Sequence, residues 1–349
     1  MGGAERSALN LASLWSDRGE EVLVMPTFSG GGTGSFYQIP DKVKINYLAD
    51  LSDSSAALPR LLALRKFIID NQFDVVISFI TNVNVAAIIA GLGSKIPIIV
   101  CERSDPFEIP MSFFWKVARS LTYPFAEQVI IQTNELLEKF KKSQSTYRNK
   151  LTVIPNPIPK VFLESCRTDE PSRRILAVGR LSKEKQFDHL IIAFSKIVPR
   201  DGWIVEIYGD GEEKENLQSL IDSLNLNAHI FLRGASHSVE MVYKAGDIFC
   251  LTSKYEGFPN ALLEAMVSSC AAVCYASPCG PIEMLDASKN VILVDLNDII
   301  ALSDGIKKLM KNKTLRYKLG ARSKFFAIKN YNEEVILSKW HSVLYPYDK

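Results

Sequence analysis

The run Ile175-Leu176-Ala177-Val178-Gly179-Arg180-Leu181-Ser182-Lys183-Glu184-Lys185 carries the strongest architectural signal in this chain. Four apolar residues without polar alternation predict a strand buried on both faces, as in a parallel sheet. Gly179 ends it, a polar loop follows, and Asp188–Val198 then has the length and pattern of a helix. The same unit recurs on both sides. Towards the carboxyl end, Ile204–Gly209, Ile230–Gly234, Ile248–Ser253, Ala272–Ala276 and Val291–Val294 read as strands, with Glu213–Leu224 as a helix. Towards the amino end, beyond the polar stretch Cys166–Arg174, the strands are Val22–Thr27, Val43–Leu48, Val75–Phe79, Pro97–Glu102, Gln128–Thr133 and Leu151–Ile154, with Pro59–Asn71 as a helix. Two such series joined by a polar linker predict an α/β chain of two doubly wound, Rossmann-like domains, 1–167 and 168–330.

Length and composition agree. The chain has 349 residues, about twice one usual domain, with 47% hydrophobic and 23% charged residues, an ordinary globular make-up. Forty-one basic against 39 acidic residues leave a net charge of +2, and neither half is a polycation, which argues against nucleic acid as a partner. Six scattered cysteines make no disulfide framework, and Met1-Gly2-Gly3-Ala4-Glu5-Arg6 has no apolar signal core. These features predict a reduced, cytoplasmic protein, soluble or peripheral to the membrane. Val75–Ser94 is uncharged over the length of a membrane span, but Ser78, Thr81, Asn82, Asn84, Gly91 and Gly93 predict a buried strand, a polar loop and an apolar helix instead.

In doubly wound domains the ligand lies beyond the carboxyl ends of the strands. Gly179 permits a close backbone turn there, and Arg180 and Lys185 can converge on one anion, the first as a planar fork and the second as a point charge. The alternative is two solvated cations on a loop. Tyr208-Gly209-Asp210-Gly211 is a Gly-x-Gly turn opening a helix, without the third glycine of a dinucleotide fingerprint. Arg233-Gly234 closes the next strand and offers backbone groups to a base or ribose. The richest segment is Ser253-Lys-Tyr-Glu256-Gly257-Phe258-Pro259-Asn260-Ala261-Leu-Leu-Glu264. Asn260 reads as the N-cap of a helix over Ala261–Val267, with Glu264 one turn inside it. Two carboxylates, Glu256 and Glu264, accept hydrogen bonds only and therefore suit a ligand rich in hydroxyls, such as a sugar or a ribose. The alternative is a capped helix with two surface glutamates.

Arg180 with Lys185, and Glu256-Gly-Phe-Pro-Asn with Glu264, resemble the signature of the retaining glycosyltransferases of family 4, which have the GT-B fold. The resemblance extends over nearly the whole chain. Gly2-Gly3-Ala4-Glu5-Arg6 is similar to the family's first glycine-rich loop, Ile154-Pro155-Asn156-Pro157 to its interdomain linker, and Gly280-Pro281-Ile282-Glu283 to its late Gly-Pro-x-Glu loop. Tyr331–Tyr345 resembles the helix that crosses back to complete the first domain, so that 331–349 would join 1–167 on the acceptor side, with 168–330 binding the nucleotide sugar. The resemblance implies that Arg180 and Lys185 neutralise a departing diphosphate, that Glu264 holds the ribose hydroxyls, and that Glu256 holds the transferred sugar beside the amides of Gly257, Phe258 and Asn260. Gly179, Gly209 and Arg233 would line the donor site, and Gly2 and Gly3 would bring helix-start amides to the diphosphate. It also implies a nucleotide-sugar co-substrate, most simply UDP-linked, and retention of anomeric configuration. With no Asp-x-Asp pair, and with Cys270, Cys274 and Cys279 lacking histidine partners, no metal is expected.

Three departures stand out. No apolar strand precedes the Gly2-Gly3 loop, so either the true start lies upstream or the first sheet is expected to lack a strand. The loop after Pro97–Cys101 reads Glu102-Arg103-Ser104-Asp105-Pro106, without the histidine many relatives carry, as in branches that act on lipid-linked oligosaccharides. Glu102 and Arg103 are thus either contacts to donor sugar or acceptor, or a structural ion pair. Ser268-Ser269-Cys270-Ala271-Ala272 replaces the usual Gly-x-Pro. The acceptor expected from the resemblance is a glycan on a polyprenyl diphosphate. Phe113-Phe-Trp-Lys116-Val-Ala-Arg119-Ser-Leu-Thr-Tyr123-Pro-Phe125, followed by Lys139, Lys141, Lys142, Arg148 and Lys150, suits either an anionic membrane surface or an ordinary amphipathic helix on the sheet. Two other function classes remain open from sequence: a nucleotide-sugar-binding protein of the same fold that no longer catalyses, and, more weakly, a nicotinamide-dependent oxidoreductase.

Overall fold

A computed structural model describes residues 3–27, 39–52, 54, 56–144, 146–163, 172–236, 238–285 and 290–345. The chain divides into two units, Met1–Pro157 with Glu333–Lys349, and Ile158–Asn332. The division falls at Pro157 rather than at 167 because the Ile158 N–H donates to the Tyr331 carbonyl and Phe162 packs edge-on against Tyr243, both within the second unit. The 166–171 part of the expected linker lies outside the described residues.

The first unit runs α1 (Gly3–Asp17), β1 (Leu23–Val24), β2 (Lys44–Ile45), α2 (Ala57–Asp70), β3 (Val76–Phe79), α3 (Thr81–Gly91), β4 (Ile98–Cys101), α4 (Phe113–Thr122), β5 (Gln128–Ile131), α5 (Asn134–Ser143) and β6 (Leu151–Val153). β3, β4, β5 and β6 form one parallel sheet in that order, and β1 pairs with β2 in a separate parallel pair. β4 is buried along its whole length, as its unbroken Ile-Ile-Val-Cys run demands. A cavity of about 1640 Å³ opens between β1 and β3 and is lined by Leu23, Val24, Val76, Ile77, Leu9 and Leu337. Val75–Ser94 resolves into the expected strand β3 and helix α3, but the expected polar loop is absent: only Ile80 separates them, and Thr81, Asn82 and Asn84 lie in α3. No helix among the described residues is long and apolar enough to cross a membrane.

The second unit runs α6 (Lys160–Leu163), β7 (Arg174–Val178), α7 (Phe187–Ser195), β8 (Ile204–Tyr208), α8 (Lys214–Ser223), β9 (Ile230–Gly234), α9 (Val239–Lys244), β10 (Ile248–Leu251), α10 (Asn260–Val267), β11 (Ala271–Tyr275), β12 (Ile292–Val294), α11 (Ile299–Lys311) and α12 (Lys313–Tyr331). Its six strands are parallel in the order β12-β11-β10-β7-β8-β9. Ile175, Ala177, Val205, Ile207 and Val273 of the sheet share one core with Leu190, Ile191 and Phe194 of α7 and Leu302 and Ile306 of α11. Each such fully buried Val, Leu, Ile or Phe side chain contributes about 1.5–3 kcal/mol. α12 ends at Tyr331, Asn332 is extended, and α13 (Glu333–Leu344) returns to the first unit. There Trp340, 1% exposed, meets Trp15 of α1 edge-on at 5.4 Å. The expected C-terminal helix therefore starts two residues later than Tyr331, which belongs to α12.

Candidate active site

The chain leaves β7 for β8 and β9 on one side, then crosses back to place β10, β11 and β12 on the other. β7 and β10 are therefore the neighbours at which winding reverses, and such a point is where a doubly wound sheet leaves a crevice. The loops that emerge there are those bearing Gly179 to Lys185 and Ser253 to Asn260.

Direct bonds stitch the two loops together. The Lys254 N–H donates to the Glu184 carbonyl at 2.7 Å, and the Thr252 hydroxyl donates to the Lys185 carbonyl at 2.7 Å. With the backbones fixed, Lys185 Nζ reaches Glu256 Oε1 at 2.8 Å. The carboxylate side chain is 10% exposed and the lysine 22%, so the pair is shielded but reachable. Glu256 is backed by the later loop: its N–H bonds to the Pro278 carbonyl, and Gly280 packs on its Cβ and Cγ. Arg180 is exposed, and its guanidinium has no hydrogen-bond or ion-pair partner among the described residues. Of this loop's cations, Lys185 is thus committed to Glu256, while Arg180 makes no hydrogen bond or ion pair among the described residues and acts on the Glu184 carboxylate only through its charge.

Glycines let these strand ends converge. The Gly179 N–H donates to the Tyr208 carbonyl, and the Gly209 N–H to that of Gly234. A Cβ on Gly209 would lie 1.8 Å from the Gly179 carbonyl oxygen, and its φ of +147° suits glycine. Gly211 is under a similar restriction from Leu181, whose N–H bonds back to the Asp210 carbonyl.

Helix α10 begins at Asn260, not at Ala261, and its N-cap is Pro259. The expected Asn260 cap is therefore corrected: its own N–H already turns back to the Phe258 carbonyl, and the Leu262 and Leu263 amides bond to the Pro259 carbonyl. Proline suits this boundary because it has no N–H to leave unpaired. The amides of Gly257 and Phe258 find no acceptor among the described residues. The Phe258 ring is structural, packing edge-on against Tyr331. Glu264 lies in the second turn of α10 and is only 2% exposed.

Other expected residues are placed elsewhere. Arg233 is spent on Glu206 of β8, with Nη2–Oε1 at 2.6 Å, while Arg174 reaches the other carboxylate oxygen at 3.2 Å. Glu102, 1% exposed, does not reach a surface, and it makes no ion pair with Arg103. Its carboxylate accepts from the Thr81 and Tyr123 hydroxyls, and Asn84 donates to Tyr123 and to the Cys101 carbonyl. Burial pushes the Glu102 carboxyl up, against the opposing pull of those hydroxyls and of Arg119. Arg103 instead donates to Asn156 and lies over the Phe79 ring. Gly3 opens α1, and Gly2 lies outside the described residues. Among the described residues no group of three or more His, Cys, Asp or Glu is placed to hold a metal ion. Thr252 and Glu184, which lock the loops, had no sequence signal beyond their position after strand ends.

Residues 1–160 match the family model described as Glycosyltransferase Family 4, and residues 163–325 match that described as Glycosyl transferases group 1. The chain is a glycosyltransferase whose two parts match two glycosyltransferase family models. The enzyme is 27% identical over 354 residues to the amylovoran biosynthesis glycosyltransferase AmsD of Erwinia amylovora, covering 98% of this chain and 96% of that one. It is 25% identical over 348 residues to a Campylobacter jejuni N-acetylgalactosaminyltransferase whose name specifies a diNAcBac-PP-undecaprenol-linked glycan, covering 95% and 93%. Among solved structures it resembles Anabaena HepE, crystallised in complex with UDP, with a TM-score of 0.82 and 18% identity over 98% and 96% of the two chains. At that identity the likeness establishes the GT-B fold of this glycosyltransferase and nothing finer.

Proposed function

We propose that this glycosyltransferase moves a hexosyl or N-acetylhexosaminyl group from a UDP-sugar to a glycan carried on a polyprenyl diphosphate, with retention of anomeric configuration, while peripheral to the membrane that carries the acceptor. The observation that carries the reading is the Lys185–Glu256 pair beside the unpartnered Arg180 at the reversal of the second sheet. Arg180 and Lys185 take the diphosphate, whose charge rises as the anomeric C–O bond breaks and its electron pair passes to the leaving phosphate oxygen. The acceptor hydroxyl oxygen forms the new bond, and its proton passes to a donor phosphate oxygen. Glu256, relieved of Lys185 by the incoming phosphates, accepts from sugar hydroxyls, with the Gly257 and Phe258 amides as donors on the same ligand. Glu264 accepts from the ribose hydroxyls. The lipid-linked acceptor follows the name of the Campylobacter relative and the UDP donor follows the HepE complex.

The test is release of free nucleoside diphosphate from a panel of UDP- and GDP-sugars, with and without a short polyprenyl-diphosphate sugar. Release from one UDP-sugar, dependent on the acceptor and lost in Glu264→Ala, is expected. Stabilisation by UDP with no release from any donor would instead make this a binding protein.

A further inference from the structure

Helix α4 turns an unusual face outward. Phe113, Phe114 and Leu121 are 81%, 67% and 67% exposed, and Phe125 just beyond is 66% exposed. At about 100° per residue, Phe113, Val117, Leu121 and Phe114 occupy one continuous arc of roughly 100°. Lys116 and Ser120 flank that arc, and Arg119 follows them on the inward side. The helix carries no acidic residue. Four large apolar side chains set side by side on a surface are costly in water unless something covers them.

Beside the arc is a cavity of about 470 Å³, lined by Arg119, Lys116 and Ser120 of α4, Gln144 after α5, and the loop from Pro106 to Pro110. Arg119, one of the two cations of this segment, does not face solvent. It is only 4% exposed and lies over the rings of Phe107 and Phe140. Its Nε and Nη1 are buried without a hydrogen-bond partner. The nearby Glu102 carboxylate is attracted to it but lies beyond ion-pair distance, and Glu108 in the loop is bridged to Lys139. A buried guanidinium with unmet donors at a cavity wall is a site built for an anion. Lys116, Lys142 and Arg148 also make no ion pair among the described residues. The Lys150 ammonium, bonded to the Pro124 and Ala126 carbonyls, holds the end of this basic segment against the end of α4.

We propose that this face docks on a bilayer of anionic phospholipid. The headgroup phosphate enters the cavity at Arg119 and Lys116, and Phe113, Phe114, Leu121 and Phe125 enter the acyl boundary. Apolar burial and attraction between cations and an anionic surface then act together, and either alone binds weakly. The inference deepens the proposed function by naming the surface that meets the acceptor's membrane, and it rests on that reading only for the biological source of the lipid.

The experiment is co-sedimentation of the full chain with phosphatidylglycerol–phosphatidylcholine vesicles and with phosphatidylcholine vesicles. Binding to the anionic vesicles alone, falling with salt, is expected. Phe113→Ser with Phe114→Ser should abolish it. Lys116→Glu should weaken it by more than tenfold, since each basic group near an anionic surface contributes about a factor of five. Arg119→Gln should weaken it too, with Lys116→Glu as the readout if that core variant does not fold. Equal binding to both vesicle types, or no binding, overturns the proposal. So does a rise in Tm with inorganic phosphate, dependent on Arg119, when vesicles are not bound, because the cavity then takes free phosphate. Transfer to a water-soluble short-chain acceptor is measured in parallel: vesicle binding lost with transfer intact removes only the docking surface, whereas transfer absent with vesicle binding intact removes only the proposed reaction.

Discussion

Lys185 Nζ and Glu256 Oε1, 71 residues apart in the chain, meet at 2.8 Å above the point where the second sheet reverses its winding. A phosphate arriving there competes for the same ammonium that now holds the glutamate. On the proposed function, the pair is a resting arrangement of two ligand-binding groups, each keeping the other's charge balanced until substrate divides them.

Lys185→Ala and Glu256→Gln should each lower the transfer rate by a factor on the order of 10²–10³, the usual cost of removing one group that stabilises developing charge. Melting temperature should change little, because the lysine is partly solvated. Initial rates of nucleoside diphosphate release measure this. A variant that transfers at the parental rate would remove its residue from the site.

The two glycines at the crossing of β7 and β8 should respond differently. Gly209→Ala places a methyl group 1.8 Å from the Gly179 carbonyl oxygen at φ +147° and should destabilise the protein by at least about 2 kcal/mol. Gly179→Ala meets only Phe187 at 3.4 Å and the Lys185 stem at 3.6 Å, which is ordinary contact, and should fold normally. Urea unfolding of both variants decides the matter, and equal stabilities would contradict the close approach.

Glu102 makes stability depend on pH. Burial raises its carboxyl above the ordinary 4.5, so the folded protein holds the proton more tightly than the unfolded chain. Its contribution is then full below about pH 4.5 and is lost as pH rises through the folded value. Glu102→Gln keeps an oxygen acceptor for Thr81 and Tyr123 without the titration. Measured from pH 4 upward, about the unfolded value, its urea midpoint should gain on the parent with increasing pH. Parallel profiles would show that the carboxyl is not shifted upward.

The cavity of about 1640 Å³ between β1 and β3 is walled in part by Leu23, Val24, Val76 and Ile77. An apolar strand of about five residues attached ahead of Gly2 should pair with both edges and raise Tm by at least about 4 °C. A polar extension of equal length should leave Tm unchanged. If both extensions behave alike, the cavity does not receive a strand.

Much of the architecture was legible in advance because a strand covered on both faces must be apolar at every position. β4, β10 and β11 satisfy that rule along their whole length, so local sequence was sufficient to find them. β1 and β2 are only two residues long, against runs of six expected for each, because a ladder needs a partner strand and local pattern does not report one. The loops bearing Gly179, Arg180, Lys185 and Glu256 were legible for a similar reason: they follow strand ends, where a doubly wound fold places its ligands.

By itself the sequence determined that this chain winds two parallel sheets, where their loops fall and which of those loops are charged. It also determined the kinship to glycosyltransferases, since these depend on residue type and spacing along one segment. Only the tertiary structure decided which charges are spent and which are free. Arg233 and Arg180 look alike as loop arginines, yet Glu206 on a neighbouring strand forms an ion pair with the first, and the second makes no ion pair among the described residues. Glu102 turned inward, Arg119 was buried under rings from other elements, and Lys185 found Glu256. Charge pairing is set by distance in space, and residues 71 positions apart carry no local mark of the 2.8 Å at which they meet.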